Sequence, residues 1–285
     1  MKKNELSSEI LLFLAAIIWG FGFVAQRAGM EYIGPFVFNG IRFILGAVVI
    51  FPLVFFFVKK NELKKEIFRT LRPSFFSGIL LFTASTLQQI AMVKASAGKA
   101  AFITGLYVIL VPIIGIFFGH KTRRNLWIGA VLAILGLYFL TDFRNGSIQI
   151  SDVLLFLCAI FWALHVLYIS KISKKYDAVL IASFQFFYTG IISLILALIF
   201  EDFNFPLIHS AGISILYAGI MSVGVAFTLQ IFGQKHAHPS HSAIILSLES
   251  LFGFIGGILI IHEHPSLTST IGALLMLTGI IVAQI

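Results

Sequence analysis

The chain has 285 residues, 59% of them hydrophobic and 11% charged, against about 45–50% and about 25% in soluble globular proteins. So few charges cannot cover a water-facing surface, and a mean hydropathy of +1.01 with 31 Phe and 24 Gly gives most of the chain lipid as its solvent. The net charge of +8 lies in short loops between apolar runs and not on a basic domain, which excludes a nucleic-acid binder and reads as a membrane-orientation signal.

Runs of spanning length fall at 8–27, 36–58, 73–93, 100–119, 126–141, 152–170, 178–200, 211–233, 242–261 and 266–285, here spans 1 to 10. In lipid every backbone amide must pair within its own segment, so these runs are expected as helices. Span 1 follows Lys2 and Lys3 as a secretory signal would, but it runs on without a small-x-small cleavage site and is read as retained. Pro, Gly or charge marks each break, as at Gly34-Pro35, Arg72-Pro73 and His238-Pro239. Five basic residues, Arg27, Arg42, Lys94, Lys99 and Arg144, fall in the interior or on the side opposite the N-terminus; the other 15 of the 20 share the N-terminal side. The positive-inside bias then puts both termini in the cytoplasm. Cys158 is the only cysteine, which rules out an intramolecular disulfide and leaves it as a small apolar helix residue.

The two halves, residues 1–142 and 143–285, repeat one another at an offset of 142–143 residues. Ser8 to Leu14 in span 1 reads like Ser151 to Leu157 in span 6, and Trp19 falls on Trp162. Thr86-Leu87-Gln88 matches Thr228-Leu229-Gln230, and Ile128-Gly129-Ala130 with Gly136 matches Ile271-Gly272-Ala273 with Gly279. Each half holds five spans, and an odd count makes the second copy enter the membrane from the other side. The expected fold is thus an all-α integral membrane protein of ten transmembrane helices in two inverted five-helix repeats. Such repeats typify secondary transporters, because two similar halves that exchange conformations open a shared site to each compartment in turn.

The residues also carry a family likeness. Trp19-Gly20-Phe21-Gly22-Phe23, Phe38-Asn39-Gly40-Ile41-Arg42-Phe43, Gly105-Leu106-Tyr107 through Pro112, and Leu246-Ser247-Leu248-Glu249-Ser250 resemble the EamA-type, ten-helix members of the drug/metabolite transporter superfamily, over essentially the whole chain. Ser250 stands where the family commonly has Pro, so no proline kink is expected in span 9. The resemblance implies a central cavity walled by spans 1, 3, 4, 6, 8 and 9, with spans 5 and 10 peripheral. It also implies export of amino acids or related metabolites, with the proton as candidate coupling ion.

Ionisable groups inside spans are costly and default to function. Glu249, about a third of the way along span 9, suits a cationic substrate group or a coupling proton, or else a buried structural acid. Arg42 in span 2 aligns with Gln185, so the shared architecture does not need its charge; it is read as a structural buried charge bonded to backbone carbonyls or to Glu31. The amides Gln88 and Gln230 suit a polar or zwitterionic solute or act as interhelical glue. Trp19, Trp162 and Tyr107 offer stacking faces or simply fill space; His165 shares the face of Trp162. These seven, Trp19, Gln88, Tyr107, Trp162, His165, Gln230 and Glu249, form the expected substrate pathway. Arg27 and Glu31 are expected to pair at i,i+4, and Gly115/Gly119 with Gly253/Gly257 are expected at close helix contacts. His236, His238 and His241, and separately His262 and His264, lack zincin spacing and read as polar loops, so no metal or cofactor is expected.

The resulting expectation is a carrier in the bacterial-type cytoplasmic membrane, monomeric or homodimeric, that moves a small polar or amphipathic metabolite. An exporter of organic cations or drugs is the alternative; a membrane-embedded enzyme or a passive channel fits less well, and no Walker A pattern offers ATP drive. Cysteines introduced at Lys2 and Lys174 are expected to react with a membrane-impermeant thiol reagent from the same side, the cytoplasmic one. Labelling from opposite sides would refute the inverted repeat.

Overall fold

The computed structural model describes residues 3–95, 97–119, 123–140, 149–260 and 266–284, and among them the chain is all helix with no strand. In order these are α1 (Lys3–Gly29), α2 (Pro35–Phe57), α3 (Leu63–Met92), α4a (Ala97–Gly105) and α4b (Tyr107–Phe117), α5 (Arg124–Leu140), α6 (Ile150–Ile172), α7 (Ala178–Phe200), α8 (Gly212–Gln234), α9a (Pro239–Leu246) and α9b (Glu249–Ile260), and α10 (Leu267–Gln284). A short helix, Phe205–Ser210, precedes α8 and is N-capped by Asn204, whose side chain accepts from Leu207 N at 3.2 Å. Among the described residues seven helices are long and apolar enough to cross a membrane: α1, α2, α3, the α4 pair over Ala100–Phe117, α6, α7 and α8. Three shorter apolar stretches lie in α5, α9 and α10.

Helix starts follow local chemistry. Asp177 accepts from Val179 N and Leu180 N at 2.9 and 3.0 Å and opens α7. Gln149 and Asp152 close a capping box at the start of α6. The expected break at Arg72-Pro73 lies instead inside α3. The charged stretch before it continues the helix, with Arg69 and Glu66 paired at 2.7 Å, and Pro costs that helix a single backbone bond. Arg27 and Glu31, expected to pair, form no salt bridge; Arg69–Glu66 is the one found among the described residues.

Helices pair in a pattern that survives exchange of the two halves. α3 packs on α6 and α7, as α8 packs on α1 and α2; α2 packs on α7 and α5 on α10. Glycines set the distances, since lipid tails are as apolar as Leu and helices associate through close van der Waals fit. A methyl on Gly136 would lie 2.7 Å from Gly272 O, and one on Gly279 would lie 2.6 Å from Gly129 O, so α5 and α10 touch backbone to backbone and run antiparallel. Gly40 against Leu194 and Gly190 against Ile44 give the same antiparallel sense for α2 and α7. Gly253 approaches Gly20 O as a contact glycine should, whereas Gly119 meets no neighbour. Its φ of +78° and its amide bond to Ile116 O (2.9 Å) make it the stop of α4b. Gly257, His262 and His264 lie outside what can be described of side chains.

Glu201, just past α7, ties the two halves at one end. Its carboxylate oxygens accept from Phe36 N at 2.9 Å and Val37 N at 2.7 Å, capping the start of α2. Charge-assisted bonds to helix N-terminal amides are worth about 1–2 kcal/mol. Replacing Glu201 by Ala is therefore expected to lower the melting temperature in detergent, with Glu201→Gln falling between it and the wild type. Equal melting of all three would show that the cap contributes nothing.

Candidate functional site

Two helix pairs are interrupted at related positions. α4 breaks at Leu106, where Leu106 N bonds back only to Ile103 O (3.3 Å). α9 breaks at Ser247-Leu248, where Leu248 N bonds back to Ile245 O (3.2 Å), even though no proline lies there. Side chains bond to carbonyls near these breaks: Thr104 Oγ1 donates to Ala100 O (2.6 Å), Ser247 Oγ to Ile244 O (2.7 Å), and Ser250 Oγ crosses to Ala101 O (3.0 Å). Ser250 keeps its backbone donor, bonded to Ser247 O at 3.2 Å, and its hydroxyl ties α9b to α4a. The first residue after each break is Tyr107 in α4b and Glu249 in α9b. The Tyr107 hydroxyl and the Glu249 carboxylate lie close together, without a hydrogen bond of good geometry.

α8 departs from the α-helix too. It is π-helical over Tyr217–Phe227, a geometry that gathers at functional sites. There Ser222 O accepts from Trp19 Nε1 at 3.1 Å.

These departures surround a cavity of about 520 Å³, lined by Trp19, Phe23, Gln26, Arg42, Gln88, Tyr107, Trp162, Val166, Ser222, Phe227, Gln230, Leu246 and Glu249. Six of the seven expected residues reach it: Trp19, Gln88, Tyr107, Trp162, Gln230 and Glu249. His165 does not. It is fully buried behind the wall, with Nε2 3.1 Å from Gln185 Oε1 and its ring edge-on to Trp162 at 5.9 Å. Its partner comes from α7, which no pattern in α6 reveals.

Arg42 requires a correction. Read as a structural charge away from the cavity, it lines the cavity and brings α2 into the wall. Its Nε donates to Asn39 Oδ1 at 2.9 Å and not to Glu31 or a backbone carbonyl. The guanidinium lies over the rings of Phe43 and Phe38, at 4.9 and 5.5 Å. The cavity thus carries one group of each sign.

The sequence reading also missed Gln26 and Phe227. Gln26 accepts from Gln88 Nε2 at 3.1 Å and donates to Gly22 O at 3.2 Å, so it holds the Gln88 amide in one orientation. Gln88 Oε1 then accepts from Trp162 Nε1 at 3.1 Å, with Cys158 Sγ 3.9 Å away. Gln26 lies seven residues after Trp19, two turns along the same face of span 1, and that spacing was the available signal. Phe227 is the aromatic hub, 4.6 Å from the Trp19 ring and stacked on Trp162 at 5.7 Å. Nothing in an apolar run of α8 distinguishes it from its neighbours. At the mouth of α9a, His238 Nδ1 accepts from Ser240 N at 3.3 Å and caps the helix.

The profile of the EamA-like transporter family matches residues 6–142 and again residues 149–284. A protein of Archaeoglobus fulgidus named as an uncharacterized transporter is 28% identical over 99% of this chain and 87% of its own length. YoaV, an uncharacterized transporter of Bacillus subtilis, is 25% identical over 93% and 92%. An Escherichia coli protein named as a probable amino-acid metabolite efflux pump is 25% identical over 95% and 92%. A solved crystal structure superposes with a TM-score of 0.82 at 20% identity over 97% of this chain and 96% of that one, a likeness of fold.

The Trp162–Gln88 bond has a measurable share in stability. Trp162→Phe keeps a ring against Phe227 and removes the donor, which is expected to cost about 1 kcal/mol. Gln88→Leu removes that acceptor and also the donor to Gln26, so it should cost more alone, and the double variant should lose about 1 kcal/mol less than the sum of the two, because the Trp162–Gln88 bond is deleted only once. Fully additive losses in chemical or thermal denaturation would refute the pairing.

Proposed function

The chain belongs to the EamA-like transporter family, and we propose that it is a secondary active carrier that exports an amino acid or related amphipathic metabolite by alternating access. In this reading ten helices cross the cytoplasmic membrane as two inverted repeats, residues 1–142 and 143–285, with both termini inside. The antiparallel contacts of α5 with α10 and of α2 with α7, each a helix and its counterpart in the other half, support the inversion.

One observation carries the carrier reading above a static pore. Trp162 and Trp19 are repeat counterparts, and so are Gln88 and Gln230, yet the two pairs are unequally engaged. Trp162 is bonded to Gln88. Trp19 donates to Ser222 O instead, and Gln230 Oε1 is buried without a partner. Two similar halves in unlike states are what a carrier at one end of its cycle requires.

Solute chemistry follows from the walls. Trp19, Tyr107, Trp162 and Phe227 offer apolar faces, the amides of Gln26, Gln88 and Gln230 offer donors and acceptors, and Glu249 and Arg42 offer charges of opposite sign. An organic cation, the alternative substrate, meets Glu249 favourably but Arg42 unfavourably; a zwitterion meets both favourably. The name of the Escherichia coli relative agrees with that choice. Glu249 is the proposed coupling site, since a lone carboxylate in a lipid-enclosed cavity can carry a proton between the two faces.

Proteoliposomes preloaded with amino acids are expected to show trans-accelerated counterflow, which a channel cannot produce. Glu249→Gln should abolish net pH-driven flux while leaving the protein monodisperse. Unchanged flux with unchanged pH response in that variant would remove Glu249 from coupling, and uptake that is neither saturable nor trans-accelerated would remove the carrier.

A further inference from the structure

Arg42 is 3% exposed, yet its guanidinium faces the cavity and not a protein carboxylate. Among the described residues no acid lies within salt-bridge reach of it. One donor, Nε, is committed to Asn39 Oδ1 (2.9 Å), and the Asn39 amide is itself anchored through Nδ2 to Ser85 O (3.2 Å) on α3. The acceptor that orients Arg42 is therefore fixed by a second helix. Phe43 and Phe38 hold the guanidinium at 4.9 and 5.5 Å and stabilise its charge through their ring faces. No protein partner is recorded for the remaining donors at the Nη end of the fork.

A guanidinium stays charged at any physiological pH, and a buried charge without a counter-ion is costly. A purely structural arginine would be neutralised by an acid or spread over backbone carbonyls. This one is locked in position with its planar, two-pronged end unspent, the geometry that accepts a carboxylate bidentately. The counterpart position in the other half is Gln185, buried and bonded to His165, so the fold accommodates a neutral side chain there.

We propose that Arg42 is the anion subsite of the cavity and binds the carboxylate of the transported solute, with Asn39 as its positioning residue. The proposal rests on the carrier reading above for the word transported; the binding itself does not depend on it. With Glu249 lining the same cavity, a solute that carries both a carboxylate and an amine meets a counter-charge at each, and an analogue that lacks either group meets only one.

The test uses the purified full-length protein and three matched probes: L-phenylalanine, its decarboxylated analogue phenethylamine, and its deaminated analogue 3-phenylpropionate. Thermal-shift titration of the wild type is expected to show the largest stabilisation by L-phenylalanine, with a smaller but measurable response to 3-phenylpropionate. Arg42→Gln should weaken 3-phenylpropionate binding at least tenfold and leave phenethylamine binding unchanged or stronger. Arg42→Lys, which keeps the charge but not the fork, should fall between. Asn39→Ala should weaken the carboxylate probes alone, whereas a merely structural role would affect all three alike. Should Arg42→Gln not fold, phenylglyoxal modification of Arg42 in the wild type, read by peptide mass spectrometry, decides: 3-phenylpropionate is expected to protect it and phenethylamine not. Absence of any response to 3-phenylpropionate, its retention in folded Arg42→Gln, or lack of protection would each overturn the subsite. Counterflow of L-phenylalanine is measured separately, so carboxylate binding without counterflow would fault the carrier reading and leave the subsite standing.

Discussion

A backbone carbonyl in lipid has no water to bond, and that constraint decides where this chain can leave the α-helix. Three of these departures border the cavity, at Leu106, at Ser247-Leu248 and over Tyr217–Phe227. At each, side chains answer carbonyls near the departure: Thr104 and Ser250 for α4a, Ser247 for α9a, and Trp19 for the π-helical stretch of α8. One residue of the expected substrate pathway is thus also engaged in maintaining the irregular backbone. Trp19 does both, lining the cavity with its ring and satisfying Ser222 O with its indole N–H.

The breaks also explain why the charged and hydroxyl groups of α4 and α9 meet. Ending one half-helix and starting another turns the next side chain toward the partner half, so Tyr107 and Glu249 converge although neither helix is amphipathic around them. Glycine contacts at Gly20, Gly40, Gly136, Gly190 and Gly279 hold the frame close enough for such convergence.

Much of this was legible in the sequence. Hydropathy gave the helical segments, because lipid imposes one length and one backbone solution on them. The Trp19/Trp162 and Gln88/Gln230 correspondences pointed to paired cavity walls, because a repeated polar residue in a costly environment has few other reasons to persist in both copies. The errors have a common source. Arg42 was expected on backbone carbonyls or on a carboxylate such as Glu31, whereas the side chain of Asn39, three residues away, holds it. His165 shares the face of Trp162, yet Gln185 of α7 draws it out of the cavity. Gly119 has the spacing of a contact glycine but ends its helix instead.

By itself the sequence determined the solvent, the helical class, the internal duplication and the residue types available for a polar site, since each follows from composition or from order along one chain. Only the tertiary structure decided which of those residues face the cavity, that α2 joins its wall, and that one Trp–Gln pair is closed while its counterpart is open. Those outcomes depend on contacts between segments far apart in sequence, where a rotation of one helix by a single residue position exchanges a wall residue for a buried one.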